Sequence, residues 1–328
     1  MSVEERDECE SRTCLFIFFN SSIPPRHQLM IRTLKEQGLR VNVIAWDRDG
    51  NKEIPPEHKD LVDKWVWVHV PAPTWSGSIV TKLPRYYKQL WNKLSSFGDF
   101  DLIFITHILL LPVALFWGRI KLYDAAEMFS ISMSSFYFSG AQKITRTVIS
   151  LFEGLLVSKI DGVLTVDSKQ DWLKKYYLRW NRQVQVIWNV PSKLDDPTLE
   201  KVKALRACYI DRKVIAFVGG LLEQKGLYVA LKSTVVVKEK YPNVLFLFIG
   251  SMHADEKDVN ELIAANNLKE NIHFINFIPY CEMLTHLHHA CIGLALHQQN
   301  MGQIYSYVSA GNGRKFFTYM QAGVPIIA

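Results

Sequence analysis

The chain has 328 residues, 48% of them hydrophobic and 21% charged, and carries a net charge of +6. That length and balance fit about two globular domains, each with its own core, and no apolar run reaches the ~18–20 residues that would cross a bilayer. The five cysteines, Cys9, Cys14, Cys208, Cys281 and Cys291, are odd in number and unpaired in spacing, which argues against a disulfide frame or a zinc site and for a reducing compartment.

The first residues, MSVEERDECESR, are acidic and do not resemble a signal peptide. Charge is uneven beyond them. Residues 11–192 hold 23 Lys/Arg against 15 Asp/Glu, and residues 193–328 hold 14 against 12. A basic N-terminal half suggests an anionic surface or substrate.

In chain order, a strand is expected at 14–19 and a helix at 25–38, with Leu29, Met30, Ile31 and Leu34 apolar and Gly38 as its stop. Strands follow at 40–46, 64–70, 101–106, 121–126, 162–167 and 183–189, with helices at 79–97, 141–159 and 168–178 between them. Strands alternating with helices at this spacing predict a doubly wound parallel sheet. The stretch 191–212, polar and proline-bearing and then loosely helical, is expected to link two domains, 1–192 and 193–328. Strands then resume at 214–218, 243–250, 272–278, 292–297 and 325–328. The fold class is thus α/β, with two Rossmann-like sheets facing a cleft and the second one incomplete.

The stretch VIAFVGGLLEQKG, residues 214–226, carries the clearest chemistry. An unbroken apolar strand runs into Gly219 and Gly220, which can turn sharply and expose backbone N–H groups, and then into a helix opened by Lys225 and Gly226. An anion there would meet amides, a helix dipole and an ammonium. The plainer alternative is an ordinary strand-to-helix turn with Lys225 in solvent.

Other stretches leave their readings open. Arg26 opens the first helix and either meets an acceptor phosphate or lies in solvent. Asp124 and Glu127, in YDAAE at a strand end, either act on an acceptor hydroxyl or cap the next helix. His107 is a weaker strand-end candidate. Glu153 lies on an otherwise apolar helix, so it must face a cleft or be paired. The helices holding Lys82, Arg85, Lys88 and Lys93, and Lys174, Lys175, Arg179 and Arg182, place aromatic and apolar residues beside basic ones. That pattern suits either an anionic membrane interface or a core-facing stripe with solvated charges. No nucleic-acid motif accompanies them.

VGGLLEQKGL, NVLFLFIGS, INFIPY and RKFFTYMQAGVPIIA, in that order, resemble the donor-binding half of family-four glycosyltransferases of the GT-B fold, and LRVNVIAWDRDG resembles their N-terminal half. The resemblance implies a retaining glycosyltransferase that moves a sugar from a UDP- or GDP-type nucleotide-sugar to a glycan, lipid-linked or small-molecule acceptor. It implies no cofactor and no metal, a cytoplasmic location, peripheral on the inner membrane face, and a chain truncated at its C-terminus. Lys225, Gly219, Gly220 and Lys315 would meet the donor diphosphate. Pro279 and Tyr280 would lie by the base and Thr318 by the ribose, while Asp124 and Glu127 would serve the acceptor. Three positions depart from the family pattern: Ala126 stands for its histidine, Gly220 for its arginine and Thr318 for its glutamate. A non-catalytic GT-B partner subunit and a GT-B sugar-nucleotide epimerase are the competing expectations.

Overall fold

The computed structural model describes residues 12–50, 53–72, 78–126, 128–130, 133, 142–166, 171–191, 196–296 and 314–328. The chain divides into two units, Met1–Trp188 and Asn189–Ala328.

The N-terminal unit is built on a parallel sheet of seven described strands: β1 (Thr13–Phe18), β2 (Arg40–Asp47), β3 (Lys64–His69), β4 (Leu102–Ile105), β5 (Ile120–Ala125), β6 (Gly162–Thr165) and β7 (Val184–Val186). Their order is β3-β2-β1-β4-β5-β6-β7. Strands step one way from β1 to β3 and the other way from β4 to β7, so right-handed connections place helices on both faces. Helix α1 (Pro25–Glu36) covers the face of Cys14, Phe16, Phe18, Val41 and Val43. Helices α2 (Ser78–Ser95), α3 (Leu111–Ala114), α4 (Gln142–Val157) and α5 (Trp172–Tyr177) cover the face of Leu15, Ile17, Ile44, Trp46 and Ile103.

The apolar stripes of the two basic helices face this core and not solvent. Tyr86, Leu90 and Leu94 of α2 are fully buried, as are Leu173 and Tyr177 of α5, while Trp91 surfaces. Packing on the sheet buries what a membrane would otherwise cover.

Glu153 of α4 is fully buried, and among the described residues no cation pairs with it. It accepts hydrogen bonds from the hydroxyls of Tyr177 (2.7 Å), Tyr123 (2.8 Å) and Tyr176 (3.3 Å). Burial pushes its pKa up to about 7, with the three hydroxyls pulling the other way.

The C-terminal unit repeats the plan with strands β8 (Lys213–Val218), β9 (Val244–Ile249), β10 (Ile272–Ile275), β11 (Ala290–Leu294) and β12 (Ile326–Ile327), ordered β10-β9-β8-β11-β12. Its helices are α6 (Leu199–Ala204), α7 (Leu227–Lys240), α8 (Glu256–Ala265), α9 (Tyr280–Leu287) and α10 (Arg314–Gln321). Alternation along β8 and β9 sorts side chains between two cores. Val214, Ala216, Val218, Leu245 and Leu247 face α9 and α10, whereas Phe217, Phe246 and Phe248 face α7 and α8.

The linker stretch contains α6, whose Thr198 hydroxyl caps it by accepting from the Lys201 N–H. One detail differs from the expected elements. Strand β10 stops at Ile275, and Pro279, with φ −55° typical of its ring, caps α9 rather than ending a strand. The spacing of Leu284 and Leu287, both buried, is what makes 280–287 helical.

Helix α10 is fastened to the sheet by one hydroxyl. The Val218 N–H donates to Tyr319 Oη at 3.1 Å, and Oη lies 3.0 Å from both Ala216 O and Leu294 O, donating to one of them. The ring fits because residue 293 is glycine: a Cβ there would lie 2.5 Å from the ring.

Two outcomes test these cores. Tyr319→Phe leaves the Val218 N–H without its acceptor and should cost ~1–3 kcal/mol; an unchanged urea midpoint would show the hydroxyl to be idle. Glu153 binds its proton more tightly folded than unfolded, so its contribution is fully present below the unfolded pKa of 4.5 and is lost as pH rises through about 7. Stability should therefore fall over that window by an amount on the order of 3 kcal/mol, and Glu153→Gln should flatten the profile in pH-resolved denaturation.

Candidate functional site

In the C-terminal unit, β8 and β9 end in glycines that touch backbone to backbone. A Cβ on Gly250 would lie 2.1 Å from Gly219 O. The Gly219 N–H donates to Ile249 O, and the Leu221 N–H to Ser251 O, both at 2.9 Å. Gly219 sits at φ +102°, in the region that favours glycine. The chain then makes a short 3-10 turn, Glu223–Lys225, before Gly226 at φ +85° opens α7. A side chain on Gly226 would collide with Leu296, whose Cβ would be 2.6 Å away.

This turn brings two lysines to one place from 90 residues apart. Lys225 Nζ lies 3.5 Å from where a Cβ on Gly220 would stand, and Lys315 Cε lies 3.8 Å from the corresponding point on Gly219. Lys315 Nζ sits 4.1 Å from the centroid of the buried Phe217 ring, a cation–π contact. Its ammonium is buried and has no hydrogen-bond partner among the described residues. Burial, and then the neighbouring Lys225 charge, press the Lys315 pKa down to about 7. Burial lowers that of Lys225 as well. Two desolvated ammonium groups without a carboxylate are costly to hold, and an anion at the Gly219–Gly220 turn would relieve both.

His253, which the sequence reading passed over, also borders the turn. Its Cδ2 lies 3.4 Å from the Gly220 Cβ position, and its N–H donates to Leu221 O at 2.9 Å. The signal for it was available: it follows the strand-ending Gly250-Ser251 by two residues.

Thr318 and Tyr280 meet each other. The Tyr280 hydroxyl lies 3.2 Å from Thr318 Oγ1 and 2.9 Å from Gln321 Oε1, tying α9 to α10. Thr318 is buried. Pro279 is the cap that starts α9.

The N-terminal candidates are paired with one another. Asp124, at the end of β5, is buried and bound bidentately by Arg26 at 2.9–3.2 Å. His27 Nε2 lies 2.7 Å from its other oxygen. Burial alone would raise the Asp124 pKa, but His27 and Arg26 hold it below the ordinary carboxylate range. Arg26 also donates to Ile187 O at 2.6 Å. Arg26 is therefore buried and paired with a carboxylate of its own unit rather than lying in solvent. Glu127 lies outside the described residues. His107 caps the turn after β4, its Nδ1 accepting from the Leu109 N–H at 3.2 Å. Burial and then Arg48 drive its pKa down to about 3, so it is neutral at physiological pH.

Residues 206–328 match the family model described as Glycosyl transferases group 1. No curated protein matches the chain. Among solved structures, the fold is similar to sucrose-phosphate synthase from Thermosynechococcus elongatus, with a TM-score of 0.67 at 15% identity over 97% of this chain and 81% of that one. It is similar to Anabaena HepE, solved in complex with UDP and glucose, with a TM-score of 0.66 at 15% identity over 97% and 80%. It is also similar to WaaG, a glycosyltransferase involved in lipopolysaccharide biosynthesis, with a TM-score of 0.62 at 13% identity over 95% and 80%. The chain thus has the two-sheet α/β fold of these structures, and the family match falls within its C-terminal unit. No helix among the described residues is long and apolar enough to cross a membrane.

The lysine pair has a pH signature. Lys315 is charged below about 7 and neutral above, so affinity for sulfate, whose own charge is constant there, should fall about tenfold from pH 6 to pH 8. Calorimetry on the parent protein and Lys315→Met checks this; an equal pH slope in both would remove Lys315 from the site.

Proposed function

Starting from residues 206–328 as a glycosyl transferases group 1 domain, we propose that this protein transfers a sugar from a nucleotide-diphospho-sugar to a glycan, lipid-linked or small-molecule acceptor. The observation that carries the reading is the convergence of Lys225 and Lys315 on the Gly219–Gly220 turn. Breaking the bond from sugar to diphosphate leaves negative charge on the departing oxygens. Preorganised cations in a partly desolvated site stabilise such charge more than water does. In this reading the two ammonium groups do so without a metal. HepE's complex with UDP and glucose supports a UDP-type donor.

The anomeric centre is inverted or retained according to which face the acceptor approaches. We favour retention, on the resemblance of the donor-half motifs. Thr318 stands one turn of α10 from Lys315 and is bonded to Tyr280 of α9, and the two would lie toward the nucleoside end. Thr318 offers one hydroxyl, already bonded to Tyr280, in place of a carboxylate, so ribose recognition here rests on fewer charge-assisted bonds.

A second reading, a GT-B subunit that binds nucleotide without turnover, draws on Asp124: both of its oxygens are held by Arg26 and His27, leaving neither to act on an acceptor. Hydrolysis or transfer of the donor sugar by the purified protein separates the two.

Lys315→Met should weaken UDP binding about tenfold or more, the loss of one charge-assisted contact, while leaving the melting temperature equal or higher because a buried unpaired charge is gone. Lys225→Ala should lower kcat/KM by about two to three orders of magnitude. Wild-type UDP affinity in Lys315→Met would overturn the donor-site assignment.

A further inference from the structure

Helix α4 and the α5 segment are pinned together at the C-terminal end of α4. A Cβ on Gly154 would lie 2.3 Å from the Trp180 ring, so the indole rests on bare helix backbone. Just beyond, the Asn181 side-chain amide donates to Val157 O at 2.9 Å and to Ile160 O at 2.8 Å. Nearer the start of α4 the two elements hold between them a recess of about 380 Å³. That volume falls in the ~300–1,000 Å³ range of small-ligand sites.

The lining has three chemical parts. Arg146 of α4, with Lys175 and Arg179 of the α5 segment, brings three cations, and among the described residues no acidic side chain lines the recess. Guanidinium groups meet phosphate oxygens through forked, charge-assisted bonds. Trp172 supplies an indole, stacked on Tyr176 at 6.4 Å between ring centroids, an apolar face against which a ring can lie. The hydroxyls of Thr147, Ser150 and Tyr176 form the third part. Tyr176 is buried, and its Oη lies 3.3 Å from Glu153 Oε2 and 2.7 Å from Ser150 Oγ. With the Tyr176 proton committed to the carboxylate, Ser150 donates to Tyr176, and its own oxygen can accept from a hydroxyl in the recess. A fully ionised inorganic anion has no hydrogen to give it.

We propose that this recess binds a small phosphorylated sugar, with its phosphate on Arg146 and Arg179, its ring against Trp172 and a hydroxyl on Ser150. The binding makes and breaks no covalent bond. None of Arg26, His27 and Asp124 lines the recess, so it is separate from the buried group at the end of β5. It also involves neither Lys225 nor Lys315 and stands or falls apart from the donor site.

Calorimetry of the full chain with glucose 6-phosphate, glucose and inorganic phosphate as probes tests it. Glucose 6-phosphate should bind about tenfold more tightly than inorganic phosphate, through the added ring and hydroxyl contacts, and glucose should give no binding heat. The pair Arg146→Gln, Arg179→Gln should lose roughly a hundredfold for glucose 6-phosphate, about tenfold for each charge-assisted contact. Trp172→Leu should weaken the sugar phosphate about fivefold and leave inorganic phosphate unchanged. Lys225→Ala combined with Lys315→Met should bind glucose 6-phosphate as the parent does. Parental affinity in the arginine pair, or glucose binding as tightly as its phosphate, would overturn the proposal. So would loss of binding in the lysine pair, which would give the ligand to the donor side, or displacement of glucose 6-phosphate by phosphatidylglycerol vesicles, which would give the recess to a lipid headgroup.

Discussion

The donor-side geometry hangs on a hydroxyl that is nowhere near a ligand. Tyr319 Oη is held by the main chain of β8 and β11 at once, which fixes α10 in height and in rotation about its axis. Lys315 is one turn earlier on the same helix face, so the same bond determines that its ammonium stands over Phe217 and beside Lys225. Gly293 is part of the device, since any Cβ there would displace the ring. The charge of the site is thus set by a neutral, buried contact. Loss of that contact would let Lys315 swing toward water, where an ammonium is more stable.

Much of this was legible in the sequence, for a physical reason. Strands covered on both faces must be continuously apolar, and VIAFV, VLFLFI and LIFI announce themselves accordingly. Glycines at 219 and 226 stood where positive φ and close approach demanded them. What stayed hidden was whatever depends on contacts far apart in the chain. The pairing of Arg26 with Asp124 spans 98 residues, and local spacing offers no way to tell such a partner from solvent. Residues 276–278, just before α9, were read as the tail of a strand because Ile278-Pro279 suits either a strand end or a helix start.

The N-terminal unit keeps two carboxylates in its core by opposite means. Asp124 stays ionised because a guanidinium and an imidazole replace its water. Glu153 has only hydroxyls, which donate well to a carboxylate but bring no charge, so its proton is held to near neutrality. Three tyrosines from β5 and α5 meet at that one side chain of α4. Helix and sheet are thereby registered by polar bonds where methyl groups alone would permit sliding.

The reach of the Tyr319 bond also bears on how the protein is made. The acceptor for the Val218 N–H is synthesised 101 residues after it. At about 5–20 residues per second, the growing chain carries β8 for roughly 5–20 s before the side chain that closes it is translated. For the last 26 residues of that interval, from Gly293 to Tyr319, the glycine gap has no ring to fill it, and the β11 side of the sheet is exposed to whatever else the cell offers. The N-terminal sheet needs nothing from beyond residue 188 for its strands to pair. The nascent protein would therefore leave the ribosome with one finished half and one open half, and the open half is where a chaperone would be expected to hold on.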